Sequence, residues 1–182
     1  MRTLPLAVLL FAAPSLLAFS AGGHRIIADI AWQKMNTDAR TQAIAILRKH
    51  PRLEEDLVPR MPDSVKNAKT PTKQRWLFFE SSTWPDLARG IDDQDERGKY
   101  DRPTHHYINF ATYLRDEDKK RIDLSRVNRS TEWDGDYTKE KLNVIQALKL
   151  NVAGYRDELR SDAERAVHLC WILHLVGDSH SY

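Results

Sequence analysis

His174 and Asp178 stand four residues apart in an apolar run, Ala166-Val167-His168-Leu169-Cys170-Trp171-Ile172-Leu173-His174-Leu175-Val176-Gly177-Asp178. On a helix that spacing puts an imidazole and a carboxylate on one face, where both can reach a single ion, and the flanking apolar side chains can keep bulk water out. Zinc takes this mixture of donors. A helix-surface hydrogen bond or ion pair uses the same spacing, so the pair alone does not decide between a metal and a structural contact. Two other places offer donors: His105-His106-Tyr107, and Asp86 between Trp84-Pro85 and Leu87-Ala88-Arg89. Asp86, His106, His174 and Asp178 would form a four-residue zinc shell if the loops fold back over the last helix. Otherwise Asp86 caps or hydrogen-bonds its own loop and the histidines are satisfied polar residues. His24 adds a ligand close to the amino terminus, where a freed terminal amine and its carbonyl can also bind metal.

One modest domain has to position these groups. The chain has 182 residues, and with 41% of them hydrophobic it is too apolar for wholesale disorder. Lys and Arg total 28 against 26 acidic residues, a net charge of +2, so any nucleic-acid function must come from a site and not from bulk charge. The single cysteine, Cys170, excludes an internal disulfide and lies in an apolar stretch that reads as core. Residues 1–18 have a short positive start, an apolar run from Leu4 to Ala13 and small residues toward Ala18. This is the pattern of a secretory signal peptide, implying a secreted or periplasmic protein, and the run is short for a bilayer span. Cleavage after Ala18 makes Phe19 the mature terminus; cuts after Ser20 or Ala21 are the alternatives.

The remainder, residues 19–182, reads as mostly helical. His24 to Met35 carries Ile27, Ile30 and Ala31 at helical spacing, and Thr37 or Asp38 can cap a second helix reaching about Arg48. Pro51 to Thr72 reads as a loop with one short helix near Leu53 to Leu57, followed by the apolar insertion Trp76-Leu77-Phe78-Phe79. Acidic Gly90 to Arg102 reads as a solvated loop, and Tyr107 to Leu114 as either a strand-like stretch or a loop packed on helices. Leu142 to Leu159 predicts an amphipathic helix whose face is Leu142, Ile145, Leu148, Val152, Tyr155 and Leu159. Ser161 and Glu164 form a capping box for the final helix.

Four ordered elements together resemble one family: Gly22-Gly23-His24, Ser82-Thr83-Trp84-Pro85-Asp86-Leu87-Ala88-Arg89, His106-Tyr107-Ile108-Asn109 and Leu173-His174-Leu175-Val176-Gly177-Asp178-Ser179-His180. They are similar to the zinc-dependent single-strand nucleases of the S1/P1 family, relatives of zinc-dependent phospholipase C. The resemblance implies an all-α fold, the N-terminal portion of the phospholipase C/nuclease helical fold with long ligand-bearing loops. It also implies that Asp86, His106, His174 and Asp178 hold a first zinc. Asp178 would bridge to a second zinc held by His24 and by the amine and carbonyl of Phe19, where the family usually has Trp. Arg89 resembles the arginine that faces the phosphate; on its own it reads more readily as a surface salt-bridge partner.

The implied reaction is hydrolysis of phosphodiester bonds in single-stranded RNA or DNA, leaving 5'-phosphates, with no stable membrane partner. The family continues with ligands for a third zinc beyond the point where this sequence stops at Ser181-Tyr182, so the expectation is an incomplete domain, two zinc sites and impaired hydrolysis. A noncatalytic zinc- or nucleic-acid-binding helical fragment is the main alternative. A zinc-dependent phospholipase is the other, disfavoured by the Trp-Pro-Asp-Leu-Ala-Arg and His-Tyr-Ile-Asn elements.

Overall fold

The computed structural model describes residues 20–138 and 141–180; the expected signal peptide and Phe19 lie outside the described residues. Eight α-helices occur among them: α1 (Ala21–Lys34), α2 (Thr37–Leu47), α3 (Asp63–Lys66), α4 (Thr70–Ser81), α5 (Trp84–Ala88), α6 (Gln94–Tyr100), α7 (Val144–Arg156) and α8 (Asp162–Asp178). A π-helical turn at Leu53–Leu57 and short 3-10 turns, including Pro103–His106, fill the connections. No strand occurs among the described residues, so the fold is all-α as expected. Tyr107 to Leu114 runs as irregular backbone, anchored where Val144 N–H donates to the Tyr107 carbonyl at 3.1 Å.

The capping box forms. Ser161 Oγ accepts from Glu164 N–H at 3.2 Å and the Glu164 carboxylate accepts from Ser161 N–H at 3.0 Å, satisfying two donors that the first turn leaves open. From there α8 runs through the centre of the molecule, touching α1, α2, α4, α5 and α7. A helix covered on so many sides is apolar around most of its circumference, which accounts for Leu169, Cys170, Trp171 and Leu175 all being buried. Burial pushes the Cys170 thiol up, away from the reactive thiolate, in line with a packing role.

Helix α7 forms with different bounds and a different face. Asn143 caps it in a second capping box with Gln146, and it ends at Arg156, leaving Leu159 98% exposed. The side chains it buries are Val144, Gln146, Ala147, Leu150 and Asn151, with Gly154, while Ile145, Leu148, Val152 and Tyr155 are only half-buried. Small residues mark this interface because α8 comes close. A Cβ on Gly154 would lie 2.3 Å from His168 Nε2, and His168 Nδ1 is 2.9 Å from Asn151 Oδ1. A stripe of large aliphatic residues could not reveal a contact built from Ala, Gly and an interhelical imidazole.

Three other segments depart from expectation. The apolar insertion before Glu80 and the last residues of the expected loop form α4, with Pro71 in its first turn, where the absent N–H of proline costs nothing, and α3 lies within the rest of that loop. The acidic stretch from Gly90 contains α6, capped by Asp93, with acidic residues in its first turn and Arg97 and Lys99 in its last, an order that suits the helix dipole. Helix α1 starts at Ala21 behind Ser20, and Asn36, not Thr37 or Asp38, caps α2.

The short helix α5 is held by its first residue. Trp84 is fully buried, with its indole N–H donating to Asp56 Oδ2 at 2.9 Å, and Arg52 grips both Asp56 oxygens at 2.7 Å. His50 meets the indole edge-on with centroids 4.2 Å apart, and its Nδ1 accepts from Arg52 N–H at 3.2 Å. Burial drives the His50 pKa down to about 4, outweighing the attraction of Asp56.

Two outcomes follow from this packing. Gly154→Ala should lose about 1–2 kcal/mol in urea unfolding, the overpacking cost less the helix-propensity gain. His168→Ala should recover part of that loss in the same background, and strict additivity of the two changes would contradict the proposed clash. His50 has a folded pKa below its unfolded value, so the unfolded chain takes up a proton first as pH falls. Stability should therefore drop between pH 6.5 and about pH 4, by up to about 3 kcal/mol from this group. His50→Gln should flatten that slope when unfolding is compared at pH 7 and pH 5.

Candidate metal centre

Five donor side chains converge where α8 meets α1, α5 and the turn Pro103–His106. His174 and Asp178 lie one turn apart on α8, His24 in the first turn of α1, Asp86 on α5, and His106 at the end of the 3-10 turn. The long ligand-bearing loops expected from the sequence are thus replaced, for Asp86, by a five-residue helix and, for His106, by a single 3-10 turn. His24, His174 and Asp178 are 0–1% exposed, and His106 is 4% exposed.

The contacts form two groups of donors. In the first, His174 Nε2 lies 2.9 Å from His106 Nδ1 and 3.2 Å from Asp178 Oδ2, while His106 Nδ1 lies 3.1 Å from that same oxygen. Asp86 Oδ1 completes the group at 3.8 Å from His174 Nε2 and 4.0 Å from His106 Nδ1. In the second group the other Asp178 oxygen, Oδ1, is 3.6 Å from His24 Nε2, and the His24 and His174 rings stack with centroids 3.8 Å apart. Asp178 therefore turns one oxygen toward each group. His24, His174 and Asp178, and separately Asp86, His106 and His174, are the two sets among the described residues able to hold a metal ion.

Proton accounting favours a cation in the first group. The Ser82 carbonyl can only accept, so at 2.8 Å it takes the His174 Nδ1 proton, and the ring in its ligand form carries a lone pair on Nε2. That lone pair faces His106 Nδ1, Asp178 Oδ2 and Asp86 Oδ1. One proton on His106 Nδ1 cannot serve three acceptors at once, whereas a metal can. Donors about 2.0–2.1 Å from a tetrahedral zinc stand about 3.3 Å from one another, close to the spacing here. The donor set thus fits zinc in both number and chemistry.

The electrostatics keep these groups in ligand form. Burial, then the neighbouring His174, lowers the His24 pKa to about 4, so its ring is neutral. Burial likewise lowers His106. Burial alone would raise Asp178, but its contacts with His106 and His174 hold the carboxyl well below the usual carboxylate range. Metal binding requires neutral imidazole and ionised carboxylate, and the site supplies both.

Arg89 sits at the open edge, its Nη2 3.2 Å from Asp86 Oδ1 and its side chain 42% exposed. It pairs with an acid, as the salt-bridge reading expects, and that acid belongs to the cluster. Phe19 lies outside the described residues; Ser20, its neighbour, caps α1 by accepting from Gly23 N–H at 3.3 Å. His105 is buried next to His106 but is outside both donor sets. The sequence did not reveal the carbonyl of Ser82, since a backbone atom carries no residue signature. Nor did it reveal Trp171, whose ring centre is 5.2 Å from that of His106 and 6.2 Å from that of His174. Its place one turn before His174 was the available signal.

The family model described as S1/P1 Nuclease matches residues 19–181 of the chain. No curated protein and no solved structure gives a match. Among the described residues no helix is long and apolar enough to cross a membrane.

Proposed function

The chain belongs to the S1/P1 nuclease family, and on that footing we propose that it is a zinc-dependent endonuclease hydrolysing phosphodiester bonds of single-stranded RNA or DNA to leave 5'-phosphates. The observation that carries this reading is the Asp178 carboxylate shared between two donor groups, an arrangement suited to a close pair of zinc ions. Asp86, His106, His174 and Asp178 would hold the first ion. His24 and Asp178 would hold the second, joined by the amine and carbonyl of Phe19 once a leader over residues 1–18 is removed. A signal peptide there would make the protein secreted or periplasmic.

Bound zinc supplies Lewis-acid charge to a phosphodiester and lowers the pKa of water. The chain's own part is positional. Ser82 aims His174, the packed Trp171 and the stacked His24 limit water behind the cluster, and the exposed edge at Asp86 and Arg89 leaves one side open to a strand. Asp86 holds the Arg89 guanidinium beside the cluster, where its remaining N–H groups can donate to phosphate oxygens as charge builds in the transition state.

Native mass spectrometry of the purified exported protein should give a mass starting at Phe19 and two zincs per chain. Asp178→Asn should lose both ions and Asp86→Asn only one. Chelator should abolish cleavage of a single-stranded oligonucleotide and added zinc restore it, with phosphatidylcholine left intact. Stoichiometric oligonucleotide binding without cleavage in zinc would replace this reading with a noncatalytic binding protein. Arg89→Ala should keep both zincs and lower kcat about 100-fold.

A further inference from the structure

His24 reaches its group from the first turn of a helix that has little apolar hold there. In α1 the buried apolar side chains, Ala28 and Trp32, lie one and two turns further on, while Ile26 and Ile30 face outward, 63% and 51% exposed. What fastens the first turn is Arg25. Its Nε donates to Glu80 Oε2 at 3.0 Å and its Nη2 to Glu80 Oε1 at 3.1 Å, a two-pronged grip on a carboxylate in the last turn of α4.

Glu80 is only 4% exposed while the Arg25 side chain is 44% exposed, and taking one charge of a pair out of water offsets much of the attraction between them. Its location gives it a different use. Two residues on is Ser82, whose carbonyl accepts from His174 Nδ1. The segment between is stiffened by side-chain bonds back into α4. Ser81 Oγ donates to the Leu77 carbonyl at 2.7 Å, Ser82 Oγ to Phe79 at 2.6 Å and Thr83 Oγ1 to Glu80 at 2.9 Å. One rigid turn therefore holds the helix carrying His24 with one hand and the ring of His174 with the other.

We infer that the Arg25–Glu80 pair is a positioning device that sets His24 against His174 and Asp178, and so governs the affinity of the second metal position. The inference rests on the two-zinc reading above. Arg25 and Glu80 touch neither metal nor substrate; they act through His24. The pair Arg75–Asp29, 2.7 Å apart and also joining α4 to α1, is partly exposed, lies away from the cluster, and serves as a control.

The test is a stepwise zinc titration of the full mature chain, followed by native mass spectrometry and chelator competition, with circular dichroism of the chelated protein to compare folding. Wild type should hold two zincs. Glu80→Gln, which keeps the shape but loses the charge, should weaken one of them at least tenfold and leave the other within twofold. Arg25→Lys, which keeps the charge but loses the fork, should fall between. In a His24→Ala background Glu80→Gln should cause no further loss, since the two changes act on the same position. Asp29→Asn should leave both affinities unchanged.

Unchanged affinities in both Glu80→Gln and Arg25→Lys would overturn the inference while leaving the two-zinc reading intact. So would equal weakening of both ions, or the same loss in Asp29→Asn, because either is the mark of general loosening. A wild-type chain holding fewer than two zincs would overturn the two-zinc reading, and the inference with it.

Discussion

The structure is organised around one carboxylate. Asp178 sits at the C-terminal end of the central helix, almost without solvent contact, with Oδ2 facing His106 and His174 and Oδ1 facing His24. A buried charge is tolerated only when strong partners surround it, and here the partners are imidazole rings, two of which, His24 and His106, burial pushes toward the neutral form. Lone pairs aimed at one another are a poor arrangement for a protein alone and a good one for a protein holding cations. The surrounding fold is best understood as what it takes to keep five donors from four separate parts of the chain in that arrangement.

The burden falls unequally. His174 and Asp178 ride on a seventeen-residue helix packed against five others, and their relation is fixed by helix geometry. Asp86 rides on five residues, too few to be helical alone, so its place depends on the buried Trp84 indole, on Asp56, and on Arg52 behind it. His106 depends on a 3-10 turn wedged against Trp171 and on the irregular chain that follows. Rigid helix supplies the shared ligands, and short pinned turns supply those that must come from elsewhere.

This division explains what could be read from the sequence. The spacing of His174 and Asp178 exposed their common face, and the capping box of Ser161 and Glu164 marked where their helix begins, because both are local rules. Asp86 and His106 could be joined to them only through motifs, since nothing local says that residues 88 and 68 positions before His174 meet it. Helix α4 was hidden by a proline that is harmless in the first turn, α6 by charges without an apolar period, and the face of α7 by the smallness of Ala147 and Gly154. Backbone groups such as the Ser82 carbonyl and long-range pairs such as Trp84 with Asp56 leave no trace in residue spacing at all.

What each donor depends on follows from the same contrast. Helix geometry fixes the imidazole and carboxylate of α8 in register, while the other donors are brought to them only by the packing of α1, α5 and the His106 turn. A cation that binds the assembled donors and not the unfolded chain adds its binding free energy to the folded state. The first turn of α1, with little apolar hold of its own, and α5, with only five residues, stand to gain from that contribution, and they carry His24 and Asp86. Polar clamps at Glu80 and Asp56 hold them near their positions, and ions held by His24 and by Asp86 would couple their affinity to the local order of these two elements.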